Sequence, residues 1–268
     1  MLTIQLLISF LVGGILISLQ TLLAERVHGY MRGVILTVPT TLALGLLFIG
    51  ILKSSADAVE AAIIVPAGLG PDYLYVAIFA LLSRFGLFAA LTGSILTFSA
   101  GAYALINFPP AGFLSSTFLY GAPLTLAGYL IVRARSKEQK LKQYPMNARH
   151  IIGRSLIGGA VIALIVFFSK TLGNTWGGMF SVFPAAFTST LIIYYILQGA
   201  GAIPAVARSL FFPGYFGFVL YAAVSAATFP LLGAWLGTLA AYCATFVFFY
   251  LCSFISKKEP APETQAQV

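Results

Sequence analysis

Apolar residues in this chain do not alternate with polar ones; they run in long blocks parted by short polar breaks. An α-helix needs about 20 mostly apolar residues to cross a bilayer. The blocks therefore predict spanning helices at about 3–23, 31–52, 68–83, 86–107, 112–132, 151–169, 177–197, 213–229 and 231–254, nine in all. The ten-residue alternating strands that mark a membrane barrel are missing. Two shorter stretches, 56–66 and 201–212, each contain a proline and follow a spanning segment; they read as interfacial or re-entrant pieces. Residues 133–149 form the one long polar linker, and 256–268 form a polar tail expected to be disordered.

Composition agrees with this pattern. Of 268 residues, 60% are hydrophobic and 8% charged, where a soluble domain carries roughly a quarter charged residues. The start of the chain, Met1 to Gln5, has no basic region, and no small-x-small cleavage site precedes Glu25. The first block is therefore expected to stay as a membrane helix. Cys243 and Cys252 both fall in the last block, too few and too far apart for a disulfide framework or a thiolate metal site, and are expected to be free thiols.

The chain carries an internal echo. With an offset of 145 residues, Pro39 falls on Pro184, Gly13-Gly14 on Gly158-Gly159, and Gly33 on Gly178. Leu11, Ile17, Leu19 and Leu46 meet identical residues in the same register. A slightly changed offset pairs Gly68 with Gly214, Tyr75 with Tyr221 and Gly93 with Gly237. Two apolar, glycine-rich stretches always align a little, but one register holding across two helices and their loop predicts a duplicated unit.

Charge decides how the two units face. Lys and Arg favour the cytoplasmic side in short loops. With the 133–149 linker inside and nine crossings, only Lys53 and Lys170 of the 15 basic residues fall outside. If residues 112–132 did not span, the units would be parallel, and Arg26, Arg32, Arg84 and Lys170 would lie outside. The first arrangement is the better one. It predicts an all-α membrane protein of two inverted four-helix repeats joined by a connector helix, with the N-terminus outside and the C-terminus inside. The parts are a first repeat at 1–108, a connector helix and basic linker at 109–149, a second repeat at 150–255, and the tail. This placement of cations as topology signals explains the net charge of +8 without nucleic acid.

Inverted repeats are a recurrent plan of transporters, with the substrate site where broken helices meet. Proline inside a helix removes a hydrogen bond and frees a carbonyl. In lipid that carbonyl needs a partner. Pro39 with Thr37, Thr40 and Thr41, and Pro184 with Ser181, Thr188 and Ser189, are thus the candidate substrate-binding residues. The same residue types also serve close packing between membrane helices. Glu60, Arg84 and Arg208 are candidate gating charges, and equally candidates for interfacial anchors. Lys53, Lys170, Asp72 and His28 read as helix-end or loop residues.

Enzyme chemistry has no visible basis. H-E-x-x-H, G-x-S-x-G and P-loop motifs are missing. Seven acids and two histidines, mostly in predicted loops, offer no metal-ligand cluster, and no cofactor is implied. A lipid-modifying site would need Arg84, Arg208 and Glu60 gathered by the fold.

The stretches GGMFSVFPAAFTSTLIIYY (177–195), GAIPAVARSLFFPGYFGFVLYAA (201–223) and FPLLGAWLGTLAAY (229–242) resemble the small four-helix prokaryotic membrane proteins of the GlpM-like type. Residues 31–107 share the likeness more faintly. The resemblance implies a prokaryotic inner-membrane protein in which two such units are fused, with a link to envelope polysaccharide or lipid metabolism. It brings no catalytic residues. The whole reading predicts a permease or flippase for a small or amphiphilic solute, lipid-linked ones included, in contact with membrane lipids. The alternative is a non-transporting accessory subunit of an envelope biosynthesis complex; a homo-oligomer suits either.

Overall fold

The computed structural model describes residues 2–26, 38–136 and 148–256. The described residues are almost entirely helical, without strands. The helices are α1 (Leu2–Arg26), α2 (Thr40–Leu52), α3 (Ser55–Leu82), α4 (Leu87–Asn107), α5 (Phe113–Arg133), α6 (Ala148–Thr171), α7 (Asn174–Ser181), α8 (Ala185–Gln198) and α9 (Ile203–Ser256). Six of them (α1, α3, α4, α5, α6 and α9) are long and apolar enough to cross a membrane. The chain is thus an all-helical, membrane-embedded protein. α2 and α8 are shorter apolar helices, of 13 and 14 residues.

Three departures from the sequence pattern matter for the site. Residues 56–66 and 68–83 are not separate pieces but one helix, α3, that runs straight through Pro66 and Pro71. Residues 201–212 likewise merge with 213–229 into the first arm of α9. The predicted segment at 177–197 is instead divided, into α7 and α8, at residues 182–184.

α9 itself bends at Gly233 (φ 73°), which parts the arms 203–232 and 234–256. Gly86 (φ 112°) makes the same kind of turn between α3 and α4. A positive φ suits glycine because a Cβ would crowd the following carbonyl. Nothing lies within 4 Å of either site, so backbone conformation alone selects glycine there.

α3 is the axis of the molecule. It is buried along most of its length and packs against α2, α4, α5, α7 and α9. α1 sits at the periphery, with Ile4, Leu7, Leu11, Ile15 and Leu19 exposed as a lipid-facing side would be. Its other side lies on α6. Gln5 meets Lys170, Gly13 meets Ile162 and Ser18 meets Ser155, so the two helices run antiparallel. Glycines make the contact close: a Cβ on Gly13 would touch Ile162 and one on Gly158 would touch Ile17. Likewise Gly14 lies on Ser155 and Gly159 on Phe10. Small residues allow such approach where lipid offers no hydrophobic drive. Cys243 and Cys252 are free thiols.

Candidate functional site

Both proline breaks have the same backbone. Pro39 sits at φ −76°, ψ 57°, and the Thr40 N–H donates back to the Val38 carbonyl at 2.7 Å. Pro184 sits at φ −76°, ψ 42°, and the Ala185 N–H donates to the Phe183 carbonyl at 2.7 Å. Each is an inverse γ-turn centred on proline, from which a helix starts. The ring fixes φ and removes the donor; at Pro184 the chain restarts after α7 rather than continuing its hydrogen-bond ladder, and at Pro39 the turn opens α2.

The two breaks are anchored differently. At the first, Gln20 of α1 donates its Nε2–H to the Val38 carbonyl at 3.1 Å. Thr40 is buried and Thr41 half-buried beside it, while Thr37 lies outside the described residues. At the second, the Ser181 hydroxyl donates to the Gly178 carbonyl at 2.6 Å. The Thr188 hydroxyl donates to the Pro184 carbonyl at 2.6 Å and shares a hydrogen bond with the Tyr75 hydroxyl at 2.8 Å. Ser189 is buried on the same helix. The Pro184 group is thereby tied to α3 and the Pro39 group to α1.

α3 opposite the second break is itself irregular. Pro66 and Pro71 remove two donors from its ladder. The Ala67 N–H donates to the Ser116 hydroxyl of α5 at 2.9 Å. Ser116 opens a π-helical turn, Ser116–Gly121, at whose end Gly121 lies so close that a Cβ would stand 2.0 Å from the Pro66 carbonyl oxygen. Pro71 packs on Gly101 of α4. Neighbouring helices thus take over what the prolines leave open. Tyr73 fills the space on the other side, its ring 4.8 Å from Phe211, 5.8 Å from Phe187 and 6.1 Å from Tyr215.

Asp72 corrects the sequence reading most sharply. It is neither at a helix end nor in a loop. It stands inside α3 with 1% of its surface exposed, and its Oδ1 has no hydrogen-bond partner. Gly68, Asp72 and Tyr75 share one stripe by their i, i+4, i+7 spacing. Gly68 lies on Met179 and Val182, and Tyr75 bonds Thr188, so the stripe faces the break between α7 and α8. The spacing of small and polar residues along "GLGPDY" carried this signal, which the two prolines masked.

At one end of α3 a polar rim closes over this seam. Ser54 caps α3, accepting from the Asp57 N–H at 3.1 Å. Asn174, the first residue of α7, donates to Asp57 Oδ1 at 2.7 Å and to Glu60 Oε2 at 2.6 Å. Lys53 pairs with Asp57 at 3.1 Å, donates to the Ser169 carbonyl at 3.2 Å, and also meets Asn174 Oδ1. Glu60 therefore belongs to a clasp between α3 and α7 whose centre, Asn174, the sequence reading missed. A polar residue directly after Gly173, at the head of an apolar block, was the available sign.

Arg84 and Arg208 lie elsewhere. Arg84 follows α3 at its far end, roughly 35 Å from Glu60 along a helix of that length. It is exposed, with its guanidinium 4.5 Å from the Phe85 ring centroid. Arg208 is exposed near the start of α9. The structure does not gather Arg84, Arg208 and Glu60 into one cluster. Among the described residues no group of three His, Cys, Asp or Glu side chains is placed to hold a metal ion. Compared with protein-family models, curated proteins and solved structures, the chain finds no match.

Proposed function

We propose that this chain is a multi-pass permease or flippase that moves a small or amphiphilic solute by alternating access between two inverted repeats. The observation that carries this reading is the pair of matching proline breaks, set on a frame whose outer helices α1 and α6 run antiparallel. Under the 145-residue register, Gly13 on Ile162 and Gly158 on Ile17 are the same contact made twice, as are Gly14 on Ser155 and Gly159 on Phe10. Reciprocal contacts of this kind are what a two-fold relation between like units produces. Gly86 and Gly233 turn corresponding helix pairs. Broken helices at equivalent places in inverted repeats are the usual substrate site of secondary transporters. In this reading the N-terminus is outside, the Lys53–Asn174 rim is the outer gate, and the Arg84 end faces the cytoplasm. The duplicated unit also accords with the likeness to GlpM-like chains.

The test uses buried reporters at opposite ends of the seam. In a chain lacking Cys243 and Cys252, single cysteines replace Ser169, beneath the rim, or Ser83, at the far end; both are buried. An impermeant maleimide is applied to intact cells and to inverted vesicles. Each reporter should label from its own side only. Joining Asp57→Cys to Asn174→Cys should block Ser169→Cys labelling and raise that of Ser83→Cys. Reactivity at Ser83→Cys that ignores the locked rim removes alternating access, and the accessory-subunit reading takes its place.

A further inference from the structure

Buried polar atoms are almost always paired, so an orphaned carboxyl oxygen in mid-helix needs a reason. Asp72 has no such pairing at Oδ1, and among the described residues no ion pair involves it. Among the described residues, the uncharged titratable groups on its own helix and on the elements packed against it are the tyrosines Tyr73 and Tyr75 of α3, Tyr120 and Tyr129 of α5, Tyr194 and Tyr195 of α8, and Tyr215, Tyr221, Tyr242 and Tyr250 of α9, with the thiols Cys243 and Cys252 at the far arm of α9. α2 and α7 contain no titratable side chain, and Tyr103 of α4 is exposed on the outside of the bundle. Lys53 belongs to the rim, and Arg84, Arg133 and Arg208 are exposed. An isolated carboxylate is costly in such surroundings, whereas the neutral acid is readily held. Among the described residues, no group of three His, Cys, Asp or Glu side chains is placed to hold a metal ion at Asp72. A proton needs one carboxyl oxygen and nothing else.

The position adds the means of exchange. Asp72 follows directly on Pro71, with Pro66 one and a half turns earlier, so its stretch of α3 lacks two ladder hydrogen bonds. It faces the divided helix α7–α8, which the Asn174 clasp holds at the rim. A shift of that helix away from α3 opens Asp72 to water.

We propose that Asp72 is the proton-coupling carboxyl of the transport cycle, a role that rests on the permease reading. With the rim open, the carboxylate takes a proton from hydronium: an O–H bond of hydronium breaks, the carboxyl O–H bond forms, and a water molecule is left. The neutral acid crosses the closed arrangement. With the far end open, the O–H bond breaks and the proton passes to water on that side. One proton enters and one leaves per cycle, and no electrons are exchanged.

Infrared spectroscopy of the full chain in phosphatidylcholine liposomes tests this, read on the carbonyl stretch of a protonated acid and its heavy-water shift. Wild type should show the band at neutral pH. Asp72→Asn should lose it, and Asp72→Glu should keep it at a shifted frequency. Spin labels at Ala56→Cys and Leu172→Cys then report rim distance. The closed fraction should change at least threefold with pH in wild type and stay constant in Asp72→Asn. A spectrum unchanged by Asp72→Asn overturns the proposal. Rim movement that is indifferent to pH, or equally pH-dependent in Asp72→Asn, removes the coupling role and leaves the permease. A single rim distance in every variant at every pH removes the permease and the coupling role together.

Discussion

Gly13 and Gly159 lie in the same antiparallel contact between α1 and α6, yet alanine should be costlier at the second than at the first. At Gly13 the added Cβ would stand 2.5 Å from the terminal methyl of Ile162, which a rotamer change can withdraw, and 3.2 Å from the Ile162 Cβ, which a small shift of the helix relieves. At Gly159 it would stand 2.6 Å from the backbone carbonyl oxygen of Phe10, which moves only if α1 moves. Relaxing to a carbon–oxygen separation of roughly 3.3 Å pushes the helices apart by about 0.7 Å. A gap of that size forfeits about a quarter to a half of each atom pair's attraction. Overpacking of this kind costs about 1–3 kcal/mol. Alanine returns up to about 1 kcal/mol at either site through helix propensity. The prediction is a net loss of about 1–2 kcal/mol for Gly159→Ala and a change within about 0.5 kcal/mol of zero for Gly13→Ala. Reversible unfolding in mixed micelles with rising SDS, followed by circular dichroism, measures both. Equal losses at the two positions, or a larger loss at Gly13, would refute the contact reasoning.

Three further outcomes follow from the site. Tyr75→Phe and Thr188→Val should each cost about 0.5–1.5 kcal/mol, and a double-mutant cycle should show coupling of about 0.6 kcal/mol, the usual worth of such a bond between membrane helices. Asn174→Ala should open the clasp between α3 and α7, so that a cysteine at Ser169 labels several-fold faster with an impermeant maleimide. Gly86→Ala meets no steric neighbour and should cost only the strain of a backbone region that is essentially glycine's own, about 1–3 kcal/mol, measurable in the same SDS titration.

The membrane class was readable from apolar blocks alone, and most helix bounds lie near those the blocks imply. The breaks at Pro39 and Pro184 were readable too, because proline's ring acts locally. What sequence hid was decided by neighbours. Pro66, Gly68, Gly70 and Pro71 look like a cluster of breakers, and α3 was therefore divided in the sequence reading. It stays whole because Ser116 serves the Ala67 N–H and Gly121 covers the Pro66 carbonyl, groups from a helix some 50 residues later. The same false break put Asp72 at a helix end or in a loop. Glu60 stood out as a charge, but its partner Asn174 comes from a distant segment, so the clasp had no local mark. Arg84 and Arg208 were visible as cations, and only three-dimensional placement set them apart from Glu60.

The burial of α3 bears on how the protein is made. Most of this helix is shielded by neighbours, and it carries two prolines and an acid whose transfer to the bilayer centre costs about 2.5–3.5 kcal/mol on an insertion scale. Such a segment is a poor solitary passenger from translocon to lipid. It is best delivered beside helices that already cover it, and α5, synthesised later, supplies part of that cover. Biogenesis of this protein therefore cannot be a strict one-helix-at-a-time release: α3 must be retained at the exit, or re-enter from the interface, until α4 and α5 are there to receive it.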